Sequence, residues 1–201
     1  MKRSIKRMAR LTTWCSSLLC TYLVAASAAY AQNYPDRPIQ FICPYPAGTA
    51  SDITSRELPH EMGKALNQTV VVVNKPGAGG LIATQYVAKA APDGYTIFAA
   101  ANGTQIINPI IYDNVRYDPI KDFAPISRYV SFPNVLVVNS SLPVKDLSEL
   151  VALMKSRSAT MPMTVGTGGN GTTSHIAAVQ FAKMIGAEIV IVPYQGTITA
   201  V

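Results

Sequence analysis

Short apolar runs alternate with amphipathic stretches along most of this chain. Residues 39–44 form an uncharged run closed by Pro44, Pro46 and Gly48, which predicts a short buried strand. Ser51 or Asp52 then offers an N-cap for a helix reaching about Leu66, with a kink expected at Pro59. The β-branched run over residues 69–74 predicts a second strand. Gly77-Ala78-Gly79-Gly80 leads into a helix over residues 81–90, and Pro92-Asp93-Gly94 turns the chain into a strand over residues 95–100. Strands and helices in this order predict an α/β fold, with right-handed crossovers and a parallel sheet covered by helices.

The middle of the chain is less regular. Residues 123–130 and 134–139 read as strands separated by Phe132-Pro133, and residues 139–143 as a connector between two lobes. Residues 145–156 have the spacing of an amphipathic helix. A second alternation begins at Met163-Thr164-Val165, passes a glycine-rich turn into a helix ending near Gly186, and reaches a strand over residues 189–193. The expected organisation is a first lobe over residues 32–138 and a partial second lobe over residues 139–201. A second lobe of about sixty residues with two strands is small for an independent core, and is expected to be incomplete through truncation of the sequence.

The charge balance changes the picture only at the N-terminus. The chain has 17 basic and 11 acidic residues among 201, a surplus that resembles the composition of a nucleic-acid binder. Lys2, Arg3, Lys6, Arg7 and Arg10 precede an apolar run from Leu11 to Ala26, and Ala29-Tyr30-Ala31 supplies small residues before a cut. Residues 1–31 therefore read as a secretory signal cleaved after Ala31, so export of residues 32–201 is expected. The apolar run is short for a bilayer span, and the bulky Leu19 before Cys20 does not fit a lipoprotein cleavage site. Without the signal, 12 basic residues face 11 acidic ones, so no phosphate-binding footprint and no nucleic-acid partner are expected. Cys15 and Cys20 leave with the signal, and Cys43 remains without an internal disulfide partner. One thiol with only His60 and His175 makes a cysteine-ligated zinc site an unpromising reading.

Gly166-Thr167-Gly168-Gly169-Asn170-Gly171 matches G-x-G-x-x-G between a strand and a helix. The acidic residue of a dinucleotide site should end the next strand, whereas Glu188 precedes it, so no nicotinamide or flavin cofactor is expected. The stretch reads better as an anion cradle, with converging backbone N–H groups and hydroxyls from Thr172, Thr173 and Ser174 at a helix start. The turn Tyr45-Pro46-Ala47-Gly48-Thr49-Ala50-Ser51-Asp52 has similar chemistry. Two such turns at strand C-termini suit a ligand held between lobes. Ser174 and His175 are neighbours on a helix and point apart, and His60-Glu61 lacks the second histidine of a metalloprotease motif, where Lys64 stands. Catalysis finds little support in these residues.

These motifs, taken in order, resemble the Bug family, the extracytoplasmic solute receptors of tripartite tricarboxylate transporters. The resemblance rests on Tyr34-Pro35-Asp36-Arg37-Pro38-Ile39, Pro44-Tyr45-Pro46-Ala47-Gly48 with Asp52, Asn74-Lys75-Pro76-Gly77-Ala78-Gly79-Gly80, and Pro92-Asp93-Gly94-Tyr95. It continues in Leu142-Pro143-Val144 with Asp146-Leu147, the stretch from Gly166 to His175, and Val192-Pro193-Tyr194. It implies a two-lobed, Venus-flytrap periplasmic binding protein, monomeric and without a cofactor, that captures a small carboxylate for the membrane subunits of a transporter. It also implies ligand contacts at Tyr45, Ala47, Gly48, Asp52, Thr104, Gly168, Asn170, Thr172, Ser174 and Tyr194. Two departures stand out. Thr49 replaces a usual glycine, and residues 197–201 diverge from the family pattern. The alternatives to a receptor are a periplasmic α/β hydrolase or transferase on the same scaffold, or a non-functional truncated remnant of a receptor.

Overall fold

Three parallel strands, β1 (Ile39–Cys43), β2 (Val70–Asn74) and β3 (Thr96–Phe98), form a sheet in the order β2-β1-β3. The computed structural model describes residues 34–201, so the secretory signal and its cut after Ala31 lie outside the described residues. In the register, Phe41 of β1 lies opposite Val72 on one side and Ile97 on the other. The central strand is the most apolar part of the core: Ile39, Phe41, Ile42 and Cys43 are all buried. Burial also pushes the Cys43 thiol up, although its hydrogen bond to the Tyr45 carbonyl opposes that shift.

Helix α1 (Ala50–Leu66) returns the chain from β1 to β2. Thr49 caps it, its hydroxyl accepting from the Asp52 N–H at 3.3 Å, and Asn67 ends it in a left-handed conformation. The helix runs unbroken through the buried Pro59. Helix α2 (Leu81–Ala88) crosses from β2 to β3. Beyond β3, residues Gly103–Ile107 wind as a wide π-turn that continues into α3 (Asn108–Ile111). The Tyr117 hydroxyl donates to the Thr104 carbonyl and ties this turn to the following loop.

A second sheet pairs β4 (Met163–Thr167) with β5 (Ile189–Pro193), again in parallel. Helix α4 (Leu147–Arg157) precedes it, and α5 (Thr173–Ile185) joins its strands. The Asp146 carboxylate caps α4 by accepting from the Glu149 N–H at 2.9 Å, while Glu149 accepts from the Lys145 N–H at 2.7 Å. This reciprocal arrangement satisfies two donors at the helix start. Leu150 and Met154 of α4 are buried with Ala187 against Met163, Phe181, Ile185 and Ile189, making a separate small core. Residues Pro38–Val201, which include both sheets, belong to one compact unit. No helix among the described residues is long and apolar enough to cross a membrane.

The strands expected at residues 123–130 and 134–139 do not form. Pro125 and Pro133 lack the N–H that a ladder requires, and no neighbouring strand pairs with either stretch. The first stretch instead lies along the sheet through its rings. Phe123 stacks with Phe98 at 6.1 Å, and Tyr129 meets Phe41 edge-on at 6.3 Å. The second stretch leaves Val135, Leu136, Val137 and Val138 exposed. High β-propensity without a partner backbone does not make a strand.

Candidate functional site

The turns that follow the strands meet at a cavity of about 190 Å³. From the first sheet, residues 44–46 after β1 and 76–80 after β2 line it, together with Tyr112. From the second sheet come residues 168–170 after β4 and 193–196 at the end of β5. This placement follows from topology: in parallel sheets the strand C-termini share one edge, where the connecting turns open to a ligand. No Asp, Glu, Lys, Arg or His lines the cavity.

The wall offers backbone donors instead. The N–H groups of Ala78, Gly79, Gly169 and Asn170 have no hydrogen-bond partner among the described residues. Both turns lead into helices, whose N-termini favour negative charge. Tyr45 adds a phenol whose pKa burial pushes up to about 12, so it remains a neutral donor at ordinary pH. A cavity walled by N–H groups and neutral hydroxyls can bind an anion without a counter-charge.

The carboxylate nearest the first turn is tied up behind the wall. Asp52 accepts from the Gly48 N–H at 2.8 Å, from Asn74 Nδ2 at 2.8 Å and from Arg56 Nε at 3.1 Å. Burial works to raise its pKa, but the hydrogen bonds from Arg56, Gly48 and Asn74 outweigh burial and hold the carboxyl below its ordinary range. The Asn74 amide also donates to the Tyr45 carbonyl at 3.0 Å. Asp52 thus fastens the β1 turn to α1 and β2. Thr49, the departure from the family pattern, donates its hydroxyl to the Pro46 carbonyl at 2.8 Å, and its methyl group packs beside Gly196 of the other sheet.

The second glycine turn is braced from within. The Gly168 N–H donates to Ser174 Oγ at 3.0 Å, and the Gly171 N–H donates to His175 Nδ1 at 3.2 Å. Thr172 donates to the Gly169 carbonyl at 2.7 Å and accepts from the His175 N–H at 3.4 Å, capping α5. Thr172→Ala should lower stability by about 1 kcal/mol, whereas Thr172→Ser should retain most of it. Urea denaturation followed by circular dichroism checks this; equal midpoints for the alanine variant and the parent protein would show that the cap is dispensable.

Of the ten residues expected to contact ligand, Tyr45, Gly168, Asn170 and Tyr194 line the cavity. Ala47, Gly48, Asp52, Thr104, Thr172 and Ser174 are not part of the wall. Thr104 is fully buried, with its hydroxyl held by the Ala101 carbonyl and its methyl group against Gly80. Thr172 and Ser174 support the turn rather than face the space it encloses. Sequence reasoning missed Gly77, Ala78, Gly79 and Gly80 as wall residues. Their signal was present, since they form a third glycine turn at a strand C-terminus. Tyr112, Gln195 and Gly196 carried no such signal.

Comparison with known proteins gives a consistent answer. Residues 54–201 match the model of the tripartite tricarboxylate transporter family receptor. The chain is 33% identical over 195 residues to BugT of Bordetella pertussis, covering 96% of this chain and 59% of BugT. It superposes on the structure of R. palustris Rpa4515 with adipate with a TM-score of 0.79 at 32% identity, covering 83% of this chain and 55% of that one. It also superposes on MatC from Rhodopseudomonas palustris with bound malate, with a TM-score of 0.74 at 30% identity, covering 82% of this chain and 55% of that one. The chain spans about half the length of the curated relatives it matches.

Proposed function

We propose that this chain, which belongs to the tripartite tricarboxylate transporter family of receptors, captures a small di- or tricarboxylate in the cavity between its two sheets. It acts as a receptor rather than an enzyme, in the periplasm after cleavage following Ala31, and presents its ligand to the membrane subunits of a transporter. The first lobe is read as residues 32–138 and the partial second lobe as residues 139–201.

One observation carries this reading: unpartnered N–H groups on two glycine turns, contributed by different sheets, share one cavity wall. A ligand with a carboxylate can accept from either turn, and one with two can engage both. The adipate and malate complexes of similar chains support a small acid of this size. A cavity of about 190 Å³ is below the usual range for drug-sized ligands, which favours a compact solute.

The test is a thermal-shift series with adipate, malate and other small di- and tricarboxylates, with the diamide of adipic acid as the uncharged control. A ligand present at 100 times its Kd should stabilise the protein by about 2.7 kcal/mol, and the diamide should leave the midpoint unchanged. No shift with any acid, or an equal shift with the diamide, would reject carboxylate capture.

A further inference from the structure

We infer that Asn108 is a positioning residue, which sets how the glycine turn of the second sheet seats against that of the first and so fixes one rim of the cavity. The inference takes the receptor reading as the purpose of that cavity.

Asn108 begins α3, is fully buried, and belongs to neither glycine turn. Its Nδ2 donates to the Gly79 carbonyl at 3.2 Å, which ties it to the turn after β2. Its Oδ1 is buried and has no hydrogen-bond partner. That oxygen faces Gly171, since a Cβ built on Gly171 would lie 2.5 Å from Asn108 Oδ1 and 2.9 Å from Ile111 Cδ1. In glycine that direction is taken by a hydrogen, so Oδ1 receives only a weak Cα–H donor from the second sheet.

Two further approaches lie in the same seam. A Cβ on Gly79 would overlap the Asn170 carbonyl, and one on Gly103 would come within 2.9 Å of the Gly171 carbonyl. The Tyr45 hydroxyl lies beside Gly103, but the amide of Asn108 is the fully buried polar side chain that reaches both turns. It is bound firmly on one side and weakly on the other. The parting line therefore runs between Asn108 and Gly171: the amide stays with the first sheet, and the 169–171 turn lifts away. A conventional hydrogen bond across that line would hold the turns together more tightly, and an apolar side chain would leave the Gly79 carbonyl without its donor.

Hydrogen exchange by mass spectrometry on the full chain without ligand tests the inference, so its failure and a failure of carboxylate binding can be told apart. Asn108→Ala should speed exchange by about tenfold or more at the Gly168 and Gly171 amides, the two in that turn that are hydrogen-bonded, although they lie sixty residues away in sequence. Gly171→Ala, which pushes on the seam from the other side, should speed exchange by a similar factor at the Gly80 amide, which is bonded to the Gly77 carbonyl. The strands β1, β2, β4 and β5 should keep their protection in both variants. Changes confined to the mutated side of the seam would overturn the inference. Uniform loss of protection across both sheets in both variants would make Asn108 an ordinary core residue and overturn it equally.

Discussion

Met154→Ala should lower stability by about 2–5 kcal/mol, the largest loss expected from a single truncation in the second half of the molecule. Met154 is 3% exposed and shares its core with only two other buried residues, Leu150 and Ala187. The rest of that core is half-buried: Leu142 and Val144 ahead of α4, Met163 and Ile189 from the sheet, and Phe181 and Ile185 from α5. A core this small has few neighbours that can move to refill a gap. Urea denaturation monitored by circular dichroism measures the loss. Hydrogen exchange should place it mainly in β4 and β5, with β1 and β2 retaining their protection. A loss below about 1 kcal/mol would show that the flexible partly exposed side chains collapse into the space, and that α4 is not required to hold the second sheet.

Asp52→Asn should cost about 2–3 kcal/mol, because hydrogen bonds to a buried charged group are worth more than neutral ones. The carboxylate gathers donors from Gly48, Arg56 and Asn74. An asparagine presents one oxygen and an NH₂ group that faces donors. The pH dependence gives an internal control. Asp52 is held below its ordinary pKa in the folded protein, so its stabilisation is fully present above the unfolded value. It is lost as pH falls through the lowered folded value. The gap between parent and variant should therefore be constant above about pH 5 and narrow below about pH 4. Denaturation midpoints across that range check the sign. A gap that widens on acidification would show that the carboxylate is not what stabilises the turn. Arg56 is largely exposed, so water can solvate it once its partner is removed.

Local signals explain most of what could be read before the fold was seen. The uncharged β-branched run gave β2 within one residue, whereas α1 starts earlier than expected because Thr49, not Ser51 or Asp52, supplies its cap. The strand beginning near Tyr95 is shorter than expected because pairing with β1 stops at Phe98. Residues 123–139 were misread for a related reason: strand formation depends on a neighbour, which no local pattern contains. The π-turn over Gly103–Ile107 had no distinguishing signal. At the cavity, Tyr45, Gly168, Asn170 and Tyr194 were legible because glycine turns after parallel strands collect at one edge. Asp52 and Thr172 lie outside the cavity wall and hydrogen-bond within the turns. Polarity beside a turn does not distinguish a residue that faces a ligand from one that braces the loop behind it.

The seam between the two glycine turns is built mainly from main-chain atoms, with the buried Asn108 amide, an Ile111 methyl group and the Tyr45 hydroxyl beside them. Glycines have no rotamers, so bringing those surfaces together freezes almost no side-chain motion. Interfaces made of long side chains lose about 0.5–1.5 kcal/mol of entropy for each one immobilised. Here that opposing contribution is nearly absent, and the balance between joined and separated turns is left to a few weak contacts. On the proposed receptor reading, a solute that bridges the turns would meet little opposing side-chain entropy.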